Sequence, residues 1–125
     1  NALLLAGAPD IVVKQPIDLL APIERHIRWF AYDRADMWTA CRGIYQFLAE
    51  WAWPFLAELA TPSDLVRAYE TGDSRILRQR HWYVFVVAAY VLLNESGRAR
   101  AVAKDHFGSP WLQSKYASML TSLGL

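Results

Sequence analysis

The run WYVFVVAAYVLL at residues 82–93 most constrains the fold, because its twelve residues include no charge and no helix breaker. A membrane-spanning helix needs roughly 20 apolar residues, so this run is too short to cross a bilayer. We expect a helix that is buried on nearly all sides within a soluble domain. Burying each large apolar side chain stabilises the fold by about 1.5–3 kcal/mol, but ordering each residue costs roughly 1–2 kcal/mol. This helix therefore depends on neighbours that cover its whole surface.

Local signals place the ends of several further helices. Pro22 suits the first position of one helix, and Asp33 or Asp36 can cap the next. The run Thr61-Pro62-Ser63-Asp64 predicts the start of a helix that ends at Gly72. Further predicted starts are Asp73 or Ser74 for the central helix, Ser96 for a helix to about Phe107, and Ser109-Pro110 for a last helix through Leu123.

These signals predict an all-α, mostly helical fold. We expect an irregular bundle of five to six short helices packed around a central buried helix at about residues 74–93. Residues 1–21 include two prolines around a β-branched run and predict a short extended segment, whereas residues 22–125 form the helical domain. Because the chain begins at Asn1, we also expect it to be a domain fragment that continues from upstream sequence.

An apolar pattern with steps of three and four residues precedes Thr61. It predicts a continuous buried seam on one helix, with Cys41 as a small core residue. Pro54 lacks an amide donor, so we expect a kink or break near Trp51–Pro54. The seam consists of Trp38, Cys41, Tyr45, Leu48, Ala52, Phe55 and Leu59.

Composition excludes several functional classes. Cys41 is the single cysteine, which rules out a disulfide framework and a thiolate metal cage. No histidine has a second His or Cys three or four residues further on, and neither nucleophile nor phosphate-loop motifs occur. We therefore lean against an enzyme and expect neither a cofactor nor a metal. The net charge of +1 also disfavours nucleic acid as a partner and provides no attraction to an anionic membrane, so we expect no membrane partner.

Six tryptophans exceed what a small core readily buries. Trp51 and Trp53 are two residues apart on a helix and cannot share a face, so one of them is expected to be an exposed interface anchor. The hypothesis is a non-catalytic helical interaction or accessory module that binds another protein or associates with itself. Its expected binding residues are Trp51, Trp53, Arg28, Arg78 and His81.

The alternative hypothesis is a helical domain that binds a small ligand or nucleic acid. It uses the Arg and His clusters at residues 25–28 and 78–81, because guanidinium groups bind phosphate and carboxylate through paired hydrogen bonds. Ten arginines against three lysines, together with the single cysteine, favour a bacterial, cytoplasmic protein.

Overall fold

The computed structural model of the chain describes residues 20–22, 29 and 31–125. Within these residues the regular structure is helical and includes no strand, which confirms the predicted all-α fold. The predicted extended segment and most of the helix expected from Pro22 lie outside the described residues. The helices are α1 (Arg34–Phe47), a π-helical turn (Leu48–Ala52), α2 (Trp53–Ala57), α3 (Pro62–Thr71), α4 (Arg80–Leu92), α5 (Ser96–Phe107) and α6 (Pro110–Ser122).

The described residues divide into two compact units, one up to residue 60 and one of residues 61–125. In the first unit, Asp33 caps α1 by accepting a hydrogen bond from the amide of Asp36 at 2.8 Å. This confirms one of the two caps expected there.

The interruption expected near Pro54 takes the form of the π-helical turn. The amide of Trp53 donates to the carbonyl of Leu48, five residues back, so the turn is wider than in an α-helix. The proline ring would clash with a regular preceding turn, and the wider turn comes directly before it. Pro54 then lies in the first turn of α2, where its missing amide is tolerated.

The predicted seam is buried only in its second half. Ala52 and Phe55 are buried, whereas Trp38, Cys41 and Tyr45 are exposed. The expectation that Cys41 is a core residue is therefore wrong. The reason is that α1 has apolar residues on two faces, and the face buried in this unit is the one with Phe47 rather than the seam.

The second unit is organised by α3, whose start is the predicted one. The Thr61 hydroxyl accepts from the amide of Asp64 at 3.2 Å, while the Asp64 carboxylate accepts from the amide of Thr61 at 3.0 Å. This reciprocal pair is a capping box. The helix ends at Gly72, which adopts the left-handed conformation with φ of +70° that favours glycine.

Helix α4 is the buried central helix of this unit, as the apolar run predicts. Val84, Val86 and Val87 are completely inaccessible to solvent. The helix begins at Arg80, six residues later than the expected start at 74. The Asp73 carboxylate does accept from the backbone amide of Arg75 and also binds its guanidinium, but the chain there forms only a turn.

Small residues let α5 pack closely against α4. Ala89, Ala99 and Ala103 are all buried. Helix α5 runs to Phe107 and α6 begins at Pro110, with Ser109 at the cap position, so both predicted starts agree with the structure to within one residue.

Candidate functional site

The most prominent surface of the first unit is an apolar face on α1. Its two aromatic side chains, Trp38 and Tyr45, are 67% and 68% exposed. Cys41 lies between them along the helix and is also exposed. We define the α1 face as Met37, Trp38, Cys41, Ile44 and Tyr45, all of which are exposed.

The geometry of α1 explains why this face is separate from the packed one. With 3.6 residues per turn, positions 38, 41 and 45 lie within about 60° of one another, roughly opposite Gly43 and Phe47. The ring of Trp29 packs edge-on against Phe47, with centroids 5.7 Å apart. A Cβ at Gly43 would stand 2.6 Å from Nε1 of Trp29, so the glycine allows this close approach. One side of α1 is thus in contact with an aromatic ring, while the other faces solvent.

Of the two tryptophans predicted as anchors, Trp53 is the exposed one. It is 54% exposed at the start of α2, whereas Trp51 is half-buried in the π-helical turn. The sequence argument that the two rings cannot share a face agrees with this difference. Leu56, also in α2, is 49% exposed.

The second unit has a different kind of site, an aromatic cluster around His106. The imidazole is stacked on Tyr83 with centroids 3.5 Å apart, and its Nε2 lies 3.3 Å from the hydroxyl of Tyr69. Tyr69 comes from α3, Tyr83 from α4 and His106 from α5, so the cluster joins three helices. We call these three residues the Tyr–His cluster.

Burial determines the protonation of this cluster. It lowers the pKa of His106; nearby Asp105 opposes that shift and Arg78 adds to it. Burial also raises the pKa of Tyr69, and the Asp105 carboxylate raises it further. Both shifts disfavour the charged forms, so at neutral pH the cluster consists of an uncharged imidazole and an uncharged phenol.

A cleft of about 270 Å³ opens beside the cluster. It is lined by Arg78, Arg80, Tyr83, Asp105 and His106. Asp105 and His106 are adjacent in α5, and both contribute to the lining of the cleft. The cleft therefore combines two guanidinium groups and one carboxylate with a neutral aromatic surface.

The structure separates the remaining residues predicted from the sequence. Arg78 lines the cleft, whereas His81 is half-buried in the first turn of α4 and does not. Arg28, together with most of the cluster at 25–28, lies outside the described residues. In the cleft, Arg78 is grouped with Arg80 and His106.

Sequence reasoning missed His106 as a site residue. Its contacts reach Tyr69, 37 residues earlier in the chain, and no local spacing signals such a contact. The exposure of Trp38 and Tyr45 was missed because their spacing is equally typical of a buried seam.

The described residues include neither a metal site nor a membrane-spanning helix. No group of three or more His, Cys, Asp or Glu side chains is arranged to hold a metal ion there. Nor is any helix in the described ranges both long and apolar enough to cross a membrane. Comparisons with protein-family models, curated protein sequences and solved structures returned no match for this chain.

Proposed function

We propose that this chain is a non-catalytic interaction module that binds protein through the α1 face. The observation that supports the proposal is the exposure of Trp38 and Tyr45 on one side of a helix whose other side is packed. Large exposed apolar patches mark interaction sites, and aromatic residues are frequent anchors of protein interfaces. A bacterial, cytoplasmic setting is part of the proposal and is supported by composition alone.

The available area indicates the strength of the interaction. An aromatic side chain buries 150–250 Å² when fully covered, so Trp38 and Tyr45 together offer on the order of 200–300 Å². A stable interface buries roughly 800 Å² on each partner. The α1 face is therefore the centre of an interface that extends further, and Trp53 and Leu56 of α2 are exposed apolar residues of the same unit. We expect a dissociation constant on the order of micromolar or weaker.

The pattern of residues on the α1 face favours a second copy of the chain as the binding partner. Trp38 and Tyr45 are equally far from the midpoint between residues 41 and 42. Two α1 helices that cross antiparallel at this midpoint place Trp38 of each copy beside Tyr45 of the other. Two-fold symmetry makes this aromatic contact twice, and the small Cys41 side chains lie near the axis, where the helices approach most closely.

Sedimentation velocity over a concentration series tests this proposal. We expect a monomer–dimer equilibrium for the wild type and a monomer for Trp38→Ser and Tyr45→Ser. Because both rings are exposed, these changes should leave the free energy of unfolding within about 0.5 kcal/mol of the wild type. The matched control is Trp111→Ser in α6, which removes a tryptophan that is 63% exposed in the other unit.

Cross-linking of Cys41 provides a geometric readout. Since the chain has one cysteine, any disulfide formed on mild oxidation joins two chains. We expect a covalent dimer whose yield falls in Trp38→Ser and is unchanged in Trp111→Ser. A wild type that remains monomeric at every concentration, or an equal effect of Trp111→Ser on dimerisation, would contradict the proposal.

A further inference from the structure

We infer that the cleft beside the Tyr–His cluster binds a small phosphate monoester that carries a hydroxyl group. This inference concerns the second unit and is independent of the α1 face. It depends on the two guanidinium groups of Arg78 and Arg80, the carboxylate of Asp105, and the size of the cleft that these side chains line.

The two guanidinium groups of the cleft have no hydrogen-bond or ion-pair partner in the part of the chain that the structure describes. There, the guanidinium groups of Arg78 and Arg80 form no hydrogen bond or ion pair, whereas those of Arg67, Arg75 and Arg98 each pair with a carboxylate. Guanidinium presents several donors in a planar fork that matches phosphate oxygens. Two such groups at one cleft leave their donors available for an oxyanion.

The absence of a side chain at Gly72 leaves room for the guanidinium of Arg78 beside the cleft. A Cβ at this position would stand 2.9 Å from Nη2 of Arg78, so the guanidinium lies over the bare glycine backbone. Arg78 also acts electrostatically on His106, Tyr69 and Asp73, which shows that its charge is near the cluster. The glycine that ends α3 therefore also provides the space for a ligand-binding arginine.

The charges select the class of anion. A phosphate monoester has a charge of about −1.5 to −2 at neutral pH, which matches two guanidinium groups. His106 is neutral and adds no positive charge, because burial lowers its pKa. Asp105 repels a bare anion but accepts a hydrogen bond from a hydroxyl, so a phosphate with a neighbouring hydroxyl satisfies all three charged side chains.

The size of the cleft limits the rest of the ligand. Sites for drug-sized molecules usually enclose about 300–1,000 Å³, and this cleft, at about 270 Å³, is slightly below that range. It suits a phosphate attached to two or three carbon atoms better than a whole nucleotide. Tyr83 is stacked on His106, so its inner face is unavailable to a base. A small phosphorylated polyol or hydroxy acid fits these limits.

The test is a titration with glycerol 3-phosphate, followed through the imidazole proton signals of His106 by NMR. We expect a saturable change in chemical shift. Inorganic phosphate at equal ionic strength should bind more weakly and reach half-saturation at a higher concentration. Arg78→Gln and Arg80→Gln should each weaken binding about tenfold, the typical value of a charge-assisted hydrogen bond. Arg67→Gln is the matched control, because its guanidinium is exposed and bound to Asp64 on another part of α3.

Two further variants separate this ligand from other anions. Asp105→Ala should strengthen binding of inorganic phosphate and reduce the preference for glycerol 3-phosphate over it. Gly72→Asn, which tolerates the left-handed backbone better than other side chains, should weaken the binding of both ligands modestly by moving the guanidinium of Arg78. The inference would be overturned if the wild type showed no saturable shift, or if Arg67→Gln lost as much affinity for glycerol 3-phosphate as the cleft variants. So would tighter, Arg78-dependent binding of a short oligonucleotide or of anionic vesicles, since the cleft would then serve a macromolecule or a membrane.

Discussion

Tyr83 lies face to face on the imidazole of His106, with ring centroids 3.5 Å apart and planes inclined by 10°. The phenol of Tyr69 meets the same imidazole at Nε2. The contact joins α3, α4 and α5, the helices that form most of the second unit's core. Because the imidazole is enclosed by two phenols, its protonation is linked to the packing of these helices.

The first prediction concerns pH. The ordinary pKa of histidine is 6.5, and burial lowers the pKa of His106 in the folded chain. Below 6.5 the unfolded chain takes up a proton more readily than the folded one, so the free energy of unfolding should fall as pH decreases from about 7.5 to 5. The charged groups facing the ring, Arg78 and Asp105, act in opposite directions on its pKa. Urea unfolding at several pH values measures this slope.

His106→Phe is the matched variant for this prediction. It keeps a ring beside Tyr83 but removes the titrating nitrogen, so its stability should depend less on pH over the same range. The pKa values of Asp64 and Asp73 are also lowered, through hydrogen bonds with Thr61 and Arg75 respectively. Their contribution is lost only near and below the ordinary aspartate value of 3.8, outside this window. An unchanged slope in His106→Phe would show that another group is responsible.

The second prediction compares two buried tyrosines. Tyr90 is 2% exposed and donates a hydrogen bond to the Glu70 carboxylate at 2.9 Å, whereas the buried hydroxyl of Tyr116 has no partner among the described residues. Tyr90→Phe should cost about 1 kcal/mol, and Tyr116→Phe should be neutral or stabilise by about 1 kcal/mol. Chemical denaturation measures both; equal effects would mean that the Tyr116 hydroxyl is also satisfied.

A third prediction follows from the ionisation of Tyr90. Burial, assisted by the hydrogen bond to Glu70, raises the pKa of Tyr90 to about 12 from its ordinary value of 10.0. Folding therefore favours the protonated phenol, and the stability from this group is present below pH 10 and declines above it. In a spectrophotometric titration, one tyrosine should ionise near pH 12 in the folded wild type and be missing in Tyr90→Phe. A wild-type curve without this late step would contradict the prediction.

The fourth prediction concerns helix starts that resemble each other in sequence. Thr61-Pro62 and Ser109-Pro110 both predict a capped helix, but only Thr61 forms a side-chain capping bond in the structure. Thr61→Ala should therefore cost about 1 kcal/mol, and Ser109→Ala a few tenths at most. Thermal unfolding of the two variants measures the difference. A larger loss of stability in Ser109→Ala than in Thr61→Ala would mean that Ser109, and not Thr61, forms the important cap.

Local chemistry explains which parts of the fold were predictable. The start of α3 and its end at Gly72 follow from side chains within a few residues of each other, and both were predicted. The start of α4 was not predicted correctly, because the same local bond can begin either a helix or a single turn. The Asp73 carboxylate accepts from the amide of Arg75, yet only a turn follows, and a local pattern does not contain the packing that decides between the two.

The candidate sites were less predictable because they depend on distant contacts. The spacing of Trp38, Cys41 and Tyr45 indicates an apolar helical stripe but not whether another element covers it. The Tyr–His cluster joins residues from three helices, and neither Tyr69 nor Tyr83 has a sequence signal that relates it to His106. Arg78 was predicted as a binding residue from its local cluster, but its partners in the cleft became visible only in the structure.

The final prediction compares neighbouring positions in α4. Val87 is fully buried, whereas Ala88 is only partly buried. An aspartate at Val87 would bury an unpaired carboxylate and remove apolar contacts, at a cost of several kcal/mol. A domain is stabilised by about 5–15 kcal/mol in total, so Val87→Asp should leave the second unit largely unfolded. Ala88→Asp can turn its carboxylate toward solvent and should remain folded with a lowered melting temperature. Circular dichroism measures both variants, and a folded Val87→Asp would contradict the central position of α4.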